Sequence, residues 1–174
     1  MKTALLVIDI QKGLITEKPY QLETFLAKVK SLIDQARKRD ITVIYVRHQD
    51  EALIPGSTAW RIEDEIRPEK TDIIIDKSYN STFKETKLEE ILKDLQIEQI
   101  IVIGMATNYC IDTTIKVAFE KGYEIIVPKG ATTTSNNPYI TAKQLVNYYE
   151  EIIWQNRFAD LVEFDHIWEE ITLT

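Results

Sequence analysis

Apolar residues along this chain fall into two alternating patterns, short unbroken runs and longer spaced stripes. The runs are Thr3 to Ile8, Ile41 to Val46, Asp72 to Asp76, Gln99 to Ile103, Glu124 to Val127 and Leu161 to Phe164. Rich in Ile, Val and Leu and bounded by polar residues, they predict strands buried on both faces, the habit of a parallel sheet. The stripes lie between them. Leu22 to Arg39 places Phe25, Leu26, Val29, Leu32, Ile33 and Ala36 on one helical face, with charges between them. Lys87 to Leu95 does the same with Leu88, Ile91, Leu92 and Leu95, and Ile111 to Lys121 with Ile111, Ile115, Ala118 and Phe119, closed by Gly122. Tyr139 to Trp154 predicts a further helix.

Strands alternating with helices predict a three-layer α/β/α fold around a central, mostly parallel six-stranded sheet, Rossmann-like and joined by right-handed crossovers. No internal repeat, low-complexity tract or linker interrupts the chain, so residues 1–174 read as one domain. Four stretches lie outside these patterns. A loop with Gly13 and Pro19 follows the first strand. His48 to Pro68, with Pro55-Gly56-Ser57, reads as a long loop with room for a helical turn, and such loops often serve function. Thr132 to Asn137 reads as a polar loop closed by Pro138, and His166 to Thr172 as a terminal segment.

In open parallel sheets, ligands bind outside the carboxyl ends of the strands. Three reactive side chains fall there. Asp9 ends the first strand, Lys77 follows the third, and Cys110 stands where the fourth strand gives way to a helix. Cys110 is also the sole cysteine. Free N–H groups and the positive end of a helix dipole at that junction predict a favoured thiolate. A carboxylate, an ammonium and a thiol at one rim make a workable set: Lys77 supports the thiolate, and Asp9 accepts a proton and returns it to a leaving group. Each residue also has an ordinary reading alone: a buried thiol as a small hydrophobe, an aspartate capping a turn, a solvated lysine. Three such coincidences at strand ends favour chemistry. Neither His48 nor His166 is needed for it.

Composition narrows the class. Hydrophobic residues make up 44% and charged residues 28% of the 174 residues, ordinary for a globular domain with a sizeable core. A net charge of −7 speaks against a nucleic-acid surface. One cysteine excludes an internal disulfide and fits a reducing cytoplasm. The apolar run Ala4 to Ile8 is too short for a signal peptide, and no stretch approaches the ~20 apolar residues that span a bilayer. The expectation is a cytoplasmic protein acting on a small molecule, with neither nucleic acid nor membrane as partner.

Three segments, in order, resemble the isochorismatase-like cysteine hydrolases, which include nicotinamidases, N-carbamoylsarcosine amidase and streptothricin hydrolases. They are Val7-Ile8-Asp9-Ile10-Gln11, Lys77-Ser78-Tyr79-Asn80-Ser81-Thr82-Phe83, and Gly104-Met105-Ala106-Thr107-Asn108-Tyr109-Cys110-Ile111-Asp112-Thr113-Thr114. The last, G-x-A-T-N-x-C-x-x-T, is the most specific. The resemblance implies an Asp9, Lys77, Cys110 catalytic triad, a cis Met105–Ala106 peptide, and an oxyanion hole from the backbone N–H groups of Ala106 and Cys110. It further implies hydrolysis of an amide-type C–N bond through a thioester, and a homodimer or higher homo-oligomer. Leu14, Trp60, Tyr79 and Tyr109 are candidate walls of a substrate pocket.

The chain departs from the family at two places. Where nicotinamidases carry a metal-binding Asp/His cluster, it has Arg47-His48-Gln49-Asp50, with no further histidine before His166, so no metal or organic cofactor is expected. After the fifth strand the usual Asp-Ala is Gly130-Ala131. Two alternatives stay open. One is an isochorismatase-type vinyl-ether hydrolase in which Asp9 protonates the substrate, and the other a catalytically silent binding protein of the same fold.

Overall fold

The computed structural model describes residues 1–173. Its centre is one sheet, built from β1 (Thr3–Ile8), β2 (Thr42–His48), β3 (Ile73–Lys77), β4 (Gln99–Met105), β5 (Glu124–Pro128), β6 (Thr132–Thr133) and β7 (Asp160–Val162). Six strands run in the order β3-β2-β1-β4-β5-β7, and the two-residue β6 pairs with the end of β4. Every named pairing is parallel. The expected six-stranded path is present. The added seventh strand comes from the stretch expected as a polar loop, where Ala131 to Thr134 are buried.

Alternation within the strands builds the two outer layers. Leu5, Val7, Val43, Tyr45, Ile101 and Ile103 face α2 (Leu22–Lys38), through its Phe25, Val29, Leu32 and Ile33, and the terminal helix, through Ile167. The intervening Ala4, Leu6, Ile8, Ile44, Val46, Ile100 and Val102 face the helices Leu88–Asp94 and Asp112–Glu120, with Ile115, Ala118 and the sealed Trp154. Because β1 and β4 are buried throughout, both of their faces are apolar.

Several boundaries differ from the sequence reading. β2 runs on to His48, two residues past its apolar run, because His48 pairs in register with Lys77 at the end of β3. A four-residue helix, α1 (Lys12–Ile15), occupies the loop after β1 and is too short to show a period. The helix expected from Tyr139 starts at Ala142, behind a capping box of Thr141 and Gln144, because the Asn137 side chain takes the N–H groups of Tyr139 and Ile140 into a turn. From Tyr149 to Trp154 it widens to a π-type turn. The last strand lies at Asp160–Val162 instead of Leu161 to Phe164, and the terminal segment is helical from Ile167. No helix among the described residues is long and apolar enough to cross a membrane.

The strand order changes direction between β1 and β4, which opens a crevice beyond their carboxyl ends. β4 closes tightly on β1 there. Gly104 lies opposite Ile8 at φ +129°, and a Cβ on it would be driven against the Ile8 carbonyl, within 2.9 Å of Ile8 N and C. Only glycine fits that approach.

Candidate active site

Asp9, Lys77 and Cys110 converge in the crevice. Lys77 Nζ, with no side-chain exposure, lies 2.7 Å from Asp9 Oδ2, itself 1% exposed. It lies 3.2 Å from Cys110 Sγ, 3.1 Å from the Tyr79 carbonyl oxygen and 3.1 Å from His48 Nδ1. Asp9 takes φ +54° as it leaves β1, with its N–H donating to the Val46 carbonyl. Its carboxylate lies against the Lys77 ammonium and the Cys110 thiol. The half-buried Cys110 has Asn80 Oδ1 at 3.7 Å.

Cys110 sits in a wide π-type turn, Thr107–Ile111, and not in the first turn of a regular helix. Thr107 donates to the Thr132 hydroxyl at 3.0 Å, and the Thr134 hydroxyl donates to Asn108 Oδ1 at 2.6 Å, so β6 and the residue after it fasten this turn. The following helix begins at Asp112, whose own carboxylate stands in its first turn. This corrects the expectation of a favoured thiolate. Burial, and then the Asp9 charge, push the Cys110 thiol up to about 12, with Lys77 pulling the other way. Burial likewise raises the Asp9 carboxyl, against the attraction of Lys77. In the resting site the proton therefore stays on sulfur, and Asp9 is a strengthened base waiting for it.

His48, set aside in the sequence, belongs to this cluster. Burial and then Lys77 lower its pKa, so the ring is neutral near pH 7 and Nδ1 accepts from the Lys77 ammonium. Nε2 then carries the proton and faces Asp50 Oδ2 at 3.5 Å. Gln11 fixes the position of His48: its side-chain amide accepts from the His48 N–H at 2.8 Å and donates to the carbonyls of His48 and Trp60. The signal in sequence was the register of His48 with Lys77, which no single run reveals.

Ligand atoms of Asp9, His48 and Cys110 come within 4.8 Å of one another, the spacing of a metal cradle. The set does not suit a divalent cation. The same lone pairs on Asp9 and His48 already face a buried ammonium, which would repel the ion.

A cavity of about 340 Å³ opens onto Cys110 and Asp9, with Met105 and Ala106 on its wall. The Met105–Ala106 peptide is cis. Leu14 and Tyr109 line the cavity as expected, joined by Leu53, Asn80, Asn108 and residues 134–137. Trp60 and Tyr79 are not among the lining residues, which corrects their assignment as pocket walls. The Trp60 ring lies under the Arg47 guanidinium, 3.7 Å from it, and Arg47 is itself held by both oxygens of Asp76. The Tyr79 ring is exposed beneath the Lys84 ammonium, and the residue serves the site through its backbone carbonyl.

Comparison with known proteins identifies the family. The isochorismatase domain family matches residues 3–160. Nicotinamidase 3 of Arabidopsis thaliana is 31% identical over 150 residues, covering 76% of this chain and 74% of the plant protein. A ureidoacrylate amidohydrolase of Agrobacterium fabrum is 26% identical, covering 88% of this chain and 85% of its own. A crystal structure of an isochorismatase family protein, 32% identical, superimposes with a TM-score of 0.89 over 93% of this chain and 98% of the other. The chain belongs to the isochorismatase family of hydrolases.

Proposed function

We propose that this protein hydrolyses an amide-type C–N bond of a small molecule through a thioester on Cys110. The observation that carries the reading is the single buried ammonium of Lys77, in contact at once with a sealed carboxylate and with the thiol that opens into the cavity. As Sγ attacks the carbonyl carbon, its proton passes to Asp9, and Lys77 compensates the negative charge as it moves. The oxyanion is taken up by the backbone N–H groups of Ala106 and Cys110, a contribution worth roughly 10²–10³ in rate per donor. The C–N bond breaks as Asp9 hands its proton to the leaving nitrogen. Water then attacks the thioester, giving one proton to Asp9, and the acid leaves as that proton returns to sulfur. Nicotinamidase 3 and the ureidoacrylate amidohydrolase support the bond type by their names.

The test is intact-mass spectrometry after incubation with a panel of amides, nicotinamide included. An acyl mass increase that is absent in Cys110→Ser supports the thioester route. Turnover that survives Cys110→Ala overturns it and favours the vinyl-ether chemistry.

A further inference from the structure

Resting on the reading of Cys110 as nucleophile, we propose that the substrate carries a cationic nitrogen, an ammonium or a like group, separated by a short apolar stretch from the bond that is cut. The cavity lining offers three kinds of group that bear on a substrate. Its reactive end holds Cys110 and Asp9, and its apolar wall is Leu14, Leu53 and Tyr109. Its solvent side carries two carboxylates, Glu17 and Asp50, both exposed. Among the described residues lining it there is no Lys or Arg. The nearest cation, Lys77, is engaged with Asp9 beneath the floor, and His48 is neutral near pH 7.

The two carboxylates differ in how they are held. Asp50 is built in: its Oδ1 accepts the N–H groups of Ala52 and Leu53 at 2.8 Å each, which fixes the side chain and leaves Oδ2 toward the cavity and His48. Glu17 follows α1 on the same wall as Leu14, and no ion pair or side-chain hydrogen bond to it occurs among the described residues. A low-dielectric cleft lined by one sign of charge concentrates counter-ions and excludes ions of like sign. The net charge of −7 acts in the same direction. An anionic substrate would have to pass both carboxylates without a cation to meet it. A ligand with an ammonium at one end and an amide at the other finds carboxylates for the first and the thiol for the second in the same cavity.

The sole cysteine makes the local field measurable independently of turnover. Intact protein is treated with 2-(trimethylammonium)ethyl methanethiosulfonate or with 2-sulfonatoethyl methanethiosulfonate, and the Cys110 disulfide is followed by mass. The ratio of the two rates is normalised to that for 2-mercaptoethanol. We expect the cationic reagent to be favoured about tenfold, and Glu17→Gln and Asp50→Asn each to reduce that preference about threefold or more. Asp50→Asn keeps the oxygen that accepts from Ala52 and Leu53. A normalised ratio at or below unity, or one that neither variant moves, overturns the proposal.

A second measurement compares kcat/KM for 6-aminohexanamide, heptanamide and adipamic acid, three amides of similar length with a cationic, neutral and anionic end. Preference in that order supports the proposal. Equal turnover of all three overturns the cation requirement while C–N hydrolysis stands. No turnover of any, with the reagent preference intact, upholds the cation-selective cleft and counts against the amide reading.

Discussion

Asp9→Asn separates thiol acidity from catalysis in a way that tests the electrostatics of the site. With its pKa raised from 9.0 to about 12, Cys110 is ionised to only ~10⁻⁵ at pH 7, against ~10⁻² for an unperturbed thiol. Burial is the main cause, the Asp9 charge the next, and Lys77 opposes both. The amide removes the second cause and leaves Lys77 facing the sulfur. A lost charge at contact distance shifts a pKa by about one to two units, so the thiolate fraction at any pH below 10 rises about 10- to 100-fold. The assay is the pseudo-first-order rate of iodoacetamide alkylation by intact mass across pH 6 to 10. In the wild type the rate climbs about tenfold per pH unit over the whole range, with no plateau near neutrality. In Asp9→Asn it is faster at every pH, while hydrolysis falls by about 10²–10⁴ because the proton acceptor is gone. Alkylation that slows in the variant, or a wild-type rate that levels off near pH 7, would refute this account of the resting thiol.

Other perturbations have equally definite outcomes. Glu150, 7% exposed, has its carboxyl raised to about 7 from 4.5 by burial, against a hydrogen bond from the Gly130 N–H. With the folded pKa above the unfolded one, its contribution is fully present below about pH 4.5 and is lost as pH rises through about 7, a change on the order of 3 kcal/mol. Glu150→Gln should therefore raise Tm by several degrees at pH 8 and leave it nearly unchanged at pH 4, as read by calorimetry. A Tm difference independent of pH would contradict this. Gly104→Ala drives a methyl into the Ile8 backbone at a positive φ, and should cost about 3 kcal/mol or more in urea unfolding or abolish soluble expression. Thr141→Ala removes the capping box and should cost about 1 kcal/mol with kcat unchanged. Lys77→Met leaves Asp9 buried beside the thiol without its partner. It should abolish thioester formation and raise the pH needed to alkylate Cys110.

The parts of the fold and site that were legible in sequence are those set by the strands. Asp9 and Lys77 end or follow unbroken apolar runs, and an unbroken run in a parallel sheet points its successor to the carboxyl rim whatever the loops do. The three-segment resemblance added the partnership with Cys110. His48 was missed because the apolar run stops at Val46 while the ladder continues two residues further, a fact of pairing with β3 that is invisible in either strand alone. The resting state of Cys110 was misjudged because the sequence locates the strand-to-helix junction but not the burial of the sulfur or the Asp9 charge beside it, which together raise the thiol pKa. Trp60 and Tyr79 were placed near the site correctly and aimed wrongly. Arg47 and Lys84, each nearby, cover their rings. Side-chain pairing of that kind leaves no periodic trace.

Lys77 has three hydrogens and four acceptors: Asp9, His48, the Tyr79 carbonyl and the Cys110 sulfur. One acceptor must go short at every instant. When sulfur bears its own proton it is the weakest of the four and the natural one to be left out; as it becomes anionic it is the strongest, and another must yield. The ammonium meets the new demand by spinning about its terminal C–N bond, a motion that shifts no heavy atom and disturbs no strand. The thiol proton can thus travel to the carboxylate and back inside a rigid frame, with it and the three ammonium hydrogens as the moving parts.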